Sequence, residues 1–365
     1  MTPAPTAETL IDDTTTADDA YRLATSGTRL RYSGDYRNAR QLLSAIARRI
    51  PDGTADRRNT RRSGPAAPPT VAERFYKYRQ ARTQRARVLS MLLVPVVPGD
   101  ADQRGPRVDL RHSPDIRDAW LHAFGELEHP TLVSLQELLG AIGAEQWRSN
   151  GVFIDALDAR IHPHYGTFAP VRGEYLDLVA QAHLPGLERA FDIGTGTGVL
   201  AAILAKRGIR EVIGTDSEQR AIACATENFA ALGLQDRARA VPQDMFPDGR
   251  ADVIVCNPPW LPGTPQTLLD HAIYDPKSAM LKAFLRGLPE HLSPGGEGWL
   301  ILSDLAERLG LRNRRDLLEW IADAGLHVVG RQETVPTHGR ADDQSDPFYA
   351  ERSAEVTTLW KLRVQ

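Results

Sequence analysis

The chain has 365 residues, 42% hydrophobic and 25% charged, enough for two domains with cores of their own. Its net charge of −3 weighs against a protein built to live on nucleic acid, where phosphate contacts call for a basic surplus. No apolar run reaches the roughly 18–20 residues of a membrane span, and no basic-then-apolar N-terminal pattern marks a signal peptide.

Residues 1–20 are rich in Thr, Ala and Asp and poor in large apolar side chains, the composition of a disordered tail. From 21 to 150 the spacing predicts a mainly helical N-terminal domain, for substrate binding or dimerisation. Its first helix is marked by Leu23, Leu30, Ala39, Leu42, Leu43 and Ile46. Pro51 to Pro69, with Gly53, Gly64 and the pairs Arg57-Arg58 and Arg61-Arg62, reads as an exposed loop. A second helix is expected from Val71 to Leu92. It carries Arg74, Lys77, Arg79, Arg82, Arg85 and Arg87 among Phe75, Tyr76 and Tyr78, either a phosphate-binding patch or a solvated face with its aromatics in the core. Further helices are expected over 114–125 and 131–140.

From Gly151 to Gln365 the pattern becomes an alternation of strands and helices. Strands are predicted at 189–193, 211–215, 238–241, 253–256, 297–303, 326–333 and 355–364, and helices at 198–207, 218–232, 277–292 and 313–324. This is an α/β class, a doubly wound, mostly parallel, seven-stranded sheet that binds ligands at the carboxyl ends of its strands. The last two strands follow each other without a helix and are expected to pair antiparallel. Cys224 and Cys256 stand in apolar stretches, and two thiols in so long a chain fit a reducing, cytoplasmic setting. His162 and His164, two apart, read as a loop or strand edge rather than a metal pair, and no zinc-like spacing is present.

The first of these strands runs into Asp192-Ile193-Gly194-Thr195-Gly196-Thr197-Gly198. Such glycines let the backbone turn tightly and let a ligand approach it. The spacing is Gly-x-Gly-x-Gly rather than the Gly-x-Gly-x-x-Gly of dinucleotide sites, and Asp192 would repel a pyrophosphate. S-adenosylmethionine (SAM) has no phosphate and carries a cationic sulfonium and ammonium, so it suits an acid there. Asp216 ends the next strand, where a carboxylate accepts from ribose hydroxyls. After the third, Asp244 is placed to accept from an adenine amino group and Met245 to pack on the ring.

The fourth strand ends in Asn257-Pro258-Pro259-Trp260. An amide, guanidino or aromatic-amine nitrogen has its lone pair delocalised and is a poor nucleophile. Two acceptors aimed at its N–H groups, the Asn257 side-chain oxygen and the Pro258 carbonyl, would hold it and favour pyramidal geometry. The prolines fix the backbone and remove competing donors, and Trp260 offers a flat face for a planar acceptor.

With these motifs, residues 161 to 365 resemble class I SAM-dependent methyltransferases, most closely the methyltransferase small-domain group bearing an Asn-Pro-Pro-aromatic motif. That group includes protein-glutamine methyltransferases and adenine or guanine amino methyltransferases. The resemblance implies SAM binding by Asp192, Gly194, Thr195, Gly196, Thr197, Gly198, Asp216, Asp244 or Met245, and Asn257, with Asn257, Pro258, Pro259 and Trp260 as the catalytic set. The segment His162 to Tyr175 is similar to the one preceding the glycine loop in the glutamine methyltransferases, where Pro-Arg and a nearby Glu recur; here Val171 separates Pro170 from Arg172. Phe168, Arg172, Glu174 and Asp270, with Trp260, are the expected substrate contacts.

Three functions follow as expectations. The first is methylation of an amide or guanidino nitrogen of an amino-acid side chain, in a protein or a free metabolite. The acids Glu174, Asp270 and Asp275 would serve a guanidinium, or equally cap helices. The second is methylation of an exocyclic amine of rRNA or DNA, and the third a non-catalytic SAM-binding module. A membrane partner is not expected, and a homodimer is compatible with the chain.

Overall fold

The computed structural model describes residues 7–51, 68–99, 105–170, 173–265, 269–336 and 343–365, which fall into two compact units, 1–146 and 147–365. The expected loop at 51–69 and Arg172 lie almost wholly or wholly outside the described residues.

The N-terminal unit is rich in helix, and it also holds a five-stranded sheet that the spacing does not predict. It holds β1 (Glu8–Ile11), α1 (Ala17–Thr25), β2 (Arg29–Tyr32), α2 (Tyr36–Arg49), α3 (Val71–Leu89), β3 (Leu92–Val97), β4 (Arg107–Val108), α4 (Arg117–Phe124), β5 (Thr131–Ser134) and α5 (Leu135–Asn150). The first three strands are parallel, and β4 and β5 both add antiparallel to β3. The helices cover this sheet, with Ile11, Leu30, Ile46, Leu92, Val94 and Trp120 in one core. Strands of two to six residues give too few alternations to show a period of two, so the sheet is silent in the hydropathy pattern. The same holds for the expected tail at 1–20. Glu8–Ile11 gains its order by backbone pairing with β2, and Thr16 caps α1 by accepting from the Asp19 amide. The apolar run at 92–97 is strand, so α3 ends at Leu89, where Ser90 caps it. Phe75 is buried and Tyr76 is exposed, so only part of the aromatic content of α3 enters the core.

The C-terminal unit follows the expected alternation closely. A small antiparallel pair, β6 (Val152–Ile154) and β7 (Ala159–Ile161), leads to α6 (Glu174–Gln181). Then come β8 (Arg189–Ile193), α7 (Val199–Lys206), β9 (Glu211–Asp216), α8 (Gln219–Ala231), β10 (Ala238–Pro242) and β11 (Ala251–Cys256). They are followed by α9 (Ala279–His291), β12 (Leu292–Ser303), α10 (Leu305–Arg308), α11 (Arg314–Asp323), β13 (Leu326–Thr334), α12 (Tyr349–Ser353) and β14 (Thr357–Val364). The sheet order is β10-β9-β8-β11-β12-β14-β13. Counted along the sheet's own strands this is 3-2-1-4-5-7-6, the seven-stranded order of class I methyltransferases. β14 is antiparallel to both its neighbours, as expected, although the short α12 intervenes.

One face of the sheet packs Val253, Val255, Trp299 and Ile301 under α6 and α7, whose buried residues include Tyr175, Val179 and Leu200. The other packs Ile254, Cys256, Leu300 and Trp360 under α9 and α11. β8 and β11 are buried on both sides, which is why they read as continuous apolar runs. Phe284 of α9 is fully buried there and faces Phe246 in a stacked pair at 6.0 Å. Phe284→Ala is expected to destabilise this unit by about 3–5 kcal/mol through lost burial and a cavity, read as a lower urea midpoint at unchanged slope. A loss below about 1 kcal/mol would show that the second face is not a tight core.

Candidate active site

The loop after β8 is built from left-handed glycines: Gly194, Gly196 and Gly198 have φ of 72°, 54° and 80°. The amides of Gly194 and Thr195 both donate to the Thr215 carbonyl, at 2.9 and 2.8 Å, folding the loop over β9. Gly214 makes this close approach feasible, because a Cβ there would lie 2.6 Å from Thr195 Oγ1. Gly198 opens α7, and a Cβ on it would strike the Phe229 ring at 2.7 Å. At Gly196 a Cβ would meet nothing within 4 Å, so the loop has an open side there.

Asp192 lies under this loop with 1% of its surface exposed. Its Oδ2 accepts from Thr195 Oγ1 at 2.7 Å and from the Ala201 amide at 3.1 Å, while Oδ1 is buried with no partner among the described residues. Burial raises its pKa from 3.8 to about 6, against the pull of those two donors. A buried carboxylate oxygen with no donor suits the ammonium of an amino-acid moiety. Asp216, at the tip of β9, accepts from the Gly196 amide and the Glu218 amide, both at 3.0 Å. Burial raises its pKa too, and those amides oppose the rise. The Thr215 hydroxyl donates to the Met245 carbonyl at 2.5 Å, tying the turn after β10 to β9; Met245 has a left-handed φ of 64° and Asp244 is exposed. The donor set therefore fits SAM: acids for its ammonium and ribose, and an open glycine loop with no phosphate cradle beyond it.

β11 pairs in parallel with β8, Val255 beside Asp192 and Cys256 beside Ile193, so Asn257 leaves the sheet next to Gly194. The Asn257 oxygen accepts from the Trp260 indole N–H at 2.8 Å. Trp260 thus does not serve only as a stacking face. Its indole nitrogen is a donor only, which fixes the orientation of the Asn257 amide and leaves that oxygen one further lone pair. The hydroxyl of Tyr175, a buried residue of α6, lies near the Asn257 side chain, which opposes the rise in its pKa. Burial raises the Tyr175 pKa, and the nearby charges of Asp192 and Glu174 add to it. Burial likewise holds the Cys256 thiol well above its ordinary pKa, aided by Asp192 and Asp275.

One further residue, Asn228, was not singled out by the sequence. Asn228 of α8 is buried, accepts from the His162 amide at 2.7 Å and donates to the Thr197 carbonyl at 2.9 Å, so it ties the segment before α6 to the glycine loop. A polar residue on the stripe Cys224, Ala225, Asn228, Phe229 was its only signal. His162 Nδ1 pairs with the Arg148 carbonyl and His164 Nε2 with Glu227, and no metal-binding group occurs among the described residues. Of the other expected contacts, Phe168 is 37% exposed, Glu174 begins α6, and Asp270 sits in the turn Leu269–Ala272, where its carbonyl accepts from the Tyr274 amide. Asp275 is the cap of the following helix, accepting from the Met280 and Leu281 amides.

Because Asp192 holds its proton up to about pH 6 in the fold and only to about pH 4 when unfolded, stability is lost as pH rises through that window. The shift corresponds to about 3 kcal/mol. In the cofactor-free protein Asp192→Asn is expected to flatten this limb, seen in urea midpoints taken between pH 4 and 7. Parallel curves for the two proteins would contradict the assignment.

Residues 175–309 match the model of the methyltransferase small domain. A release factor glutamine methyltransferase of Cereibacter sphaeroides is 34% identical over 173 residues, 43% of this chain and 59% of that protein. A ribosomal RNA small subunit methyltransferase C of Alcanivorax borkumensis is 30% identical over 40% of this chain and 39% of its own length. A tRNA1(Val) (adenine(37)-N6)-methyltransferase of Bacteroides thetaiotaomicron is 31% identical over 36% and 59%. The chain spans less than two thirds of each, and the three names carry three different acceptors. The match to the methyltransferase small domain thus covers the glycine loop and the Asn257 motif, within a C-terminal unit whose strand order is 3-2-1-4-5-7-6.

Proposed function

We propose that the C-terminal unit is a SAM-dependent N-methyltransferase whose acceptor is a planar nitrogen, with an amide or guanidino nitrogen of an amino-acid side chain as the lead class. The observation that carries this reading is the fixed Asn257 amide. It leaves a parallel strand pair beside the glycine loop, and the Trp260 indole holds it.

When bound, SAM supplies a methyl group on a cationic sulfur, already activated for transfer. Asp192 and Asp216 would hold its ammonium and ribose, and the backbone of Gly194 to Gly198 would lie along it. Asn257 Oδ1 keeps one lone pair for an N–H of the acceptor, and the Pro258 carbonyl is the second acceptor. Bonding both N–H groups draws the nitrogen lone pair out of conjugation and holds it for attack. Positioning carries most of the rate under these conditions, since neither a metal nor a general base is required to activate the methyl donor.

A second reading, methylation of a base amine in RNA, draws on α3, where Arg74, Lys77, Arg82 and Arg87 are exposed with Tyr76. Affinity falling steeply with salt would favour it.

Incubation with labelled SAM and separate pools of free amino acids, protein, RNA and DNA tests the acceptor class; label only in nucleic acid would replace the lead reading. In whichever pool is labelled, Asn257→Ala is expected to lower turnover by roughly 10²-fold while SAM affinity stays within about tenfold. Near-normal turnover would remove Asn257 from the catalytic set. Trp260→Phe keeps a ring and loses the indole donor, and is expected to cost about tenfold in turnover. No loss would mean that Trp260 acts by stacking alone.

A further inference from the structure

Arg312 stands between α10 and α11, in the loop layer at the carboxyl end of β12, the strand next to β11 and its Asn257 loop. Only 5% of its surface is exposed. Its Nε and Nη2 are buried and have no hydrogen-bond partner among the described residues. These two nitrogens form the edge of a guanidinium that takes a carboxylate through two parallel bonds.

Carboxylates are near, yet they are committed elsewhere. Asp275, Glu307 and Asp316 all act on the Arg312 charge. Asp275 takes the amides of Met280 and Leu281, Glu307 takes Arg314, and Asp316 takes the Asn313 amide. Asp304 is likewise held by Arg308 and the Val356 amide. A buried cation whose bidentate edge is left open is costly, and such an exception calls for a function. Asp275 also stands beside the acceptor motif, where its amide donates to the carbonyl of Leu261, the residue after Trp260, at 2.9 Å.

We propose that Arg312 anchors the carboxylate of a free amino-acid acceptor, whose side-chain nitrogen then reaches Asn257. The proposal rests on the N-methyltransferase reading and narrows its substrate to a small zwitterion. A phosphodiester chain fits less well, because residues 147–365 hold 23 Lys and Arg against 29 Asp and Glu. A lone carboxylate with an ammonium beside it meets less repulsion there than a polyanion does.

The test compares L-glutamine and L-arginine with L-glutaminamide and L-argininamide as acceptors of labelled methyl from SAM. It uses the full-length protein and its Arg312→Met and Arg312→Lys variants. The wild type is expected to methylate a free acid with KM at least about 30-fold below that of the matching amide. Arg312→Met should raise KM for the acid by a similar factor, leave the amide unchanged, and keep kcat within about threefold. Arg312→Lys should recover part of the difference, and SAM affinity should be equal in all three proteins. An amide used as well as its acid overturns the anchor. So does a variant that loses both acceptors equally as its melting temperature falls, the mark of a structural counter-charge. Label in protein or RNA but in neither free acid overturns the anchor and leaves methyl transfer standing. No label in any pool removes the methyltransferase reading and the anchor with it.

Discussion

Val253 to Cys256 run in parallel beside Ala190 to Ile193, residue against residue, in the middle of the seven-stranded sheet. Adjacent parallel strands lie about 5 Å apart, so whatever follows Ile193 and whatever follows Cys256 emerge as neighbours at one edge. On one side of β8 the chain winds outward through β9 and β10, and on the other through β11 and β12. The crevice at that change of direction is where open α/β sheets take their ligands. The glycine loop and the Asn257 motif therefore do not need to find each other. The strand register sets their distance, and the cores on both faces hold the register.

Around this edge the charges are arranged against water rather than with it. Asp192 and Asp216 are pushed toward neutrality by burial and recover ionisation only as donors reach them. A ligand carrying positive charge gains by meeting them, since it supplies what the fold withholds. Arg312 is the counterpart of opposite sign beyond the end of β12, two strands along the sheet from β8, lowered by its own burial and left open along one edge among the described residues. Acids after β8 and β9 and a guanidinium after β12, at one edge of the sheet, suit ligands that carry both signs.

The sheet of the C-terminal unit is legible in the sequence because its strands carry short apolar runs, such as Val253 to Cys256 and Trp299 to Leu302, between helical periods, and only β11 and β12 begin earlier than the pattern indicates. The glycine loop and Asn257-Pro258-Pro259-Trp260 are legible because their backbone demands few residue types. The N-terminal sheet was not, since β2 is Arg-Leu-Arg-Tyr and β4 only two residues, and pairing across distant segments supplies their order. Within the site, Tyr175 and Asn228 escaped for a related reason. Each lies in an ordinary helix, and its partners are 82 residues away for Tyr175 to Asn257 and 31 for Asn228 to Thr197. The indole bond to Asn257 was hidden for another reason: a tryptophan after two prolines advertises its ring, not its N–H.

β14 lies between β12 and β13 and bonds to both, whereas β13 has β14 as its neighbour in the sheet. During synthesis β13 is complete some twenty residues before β14 begins, yet it has nowhere to dock until β14 arrives. The first five strands of the sheet can assemble as they leave the ribosome, but the last two must enter together, as a hairpin inserted by its later arm. Contacts of this kind are slow to form and leave an edge of β12 open meanwhile. Nascent chains halted before residue 357 would thus carry a formed glycine loop on an unfinished sheet, exposed to pairing with another copy.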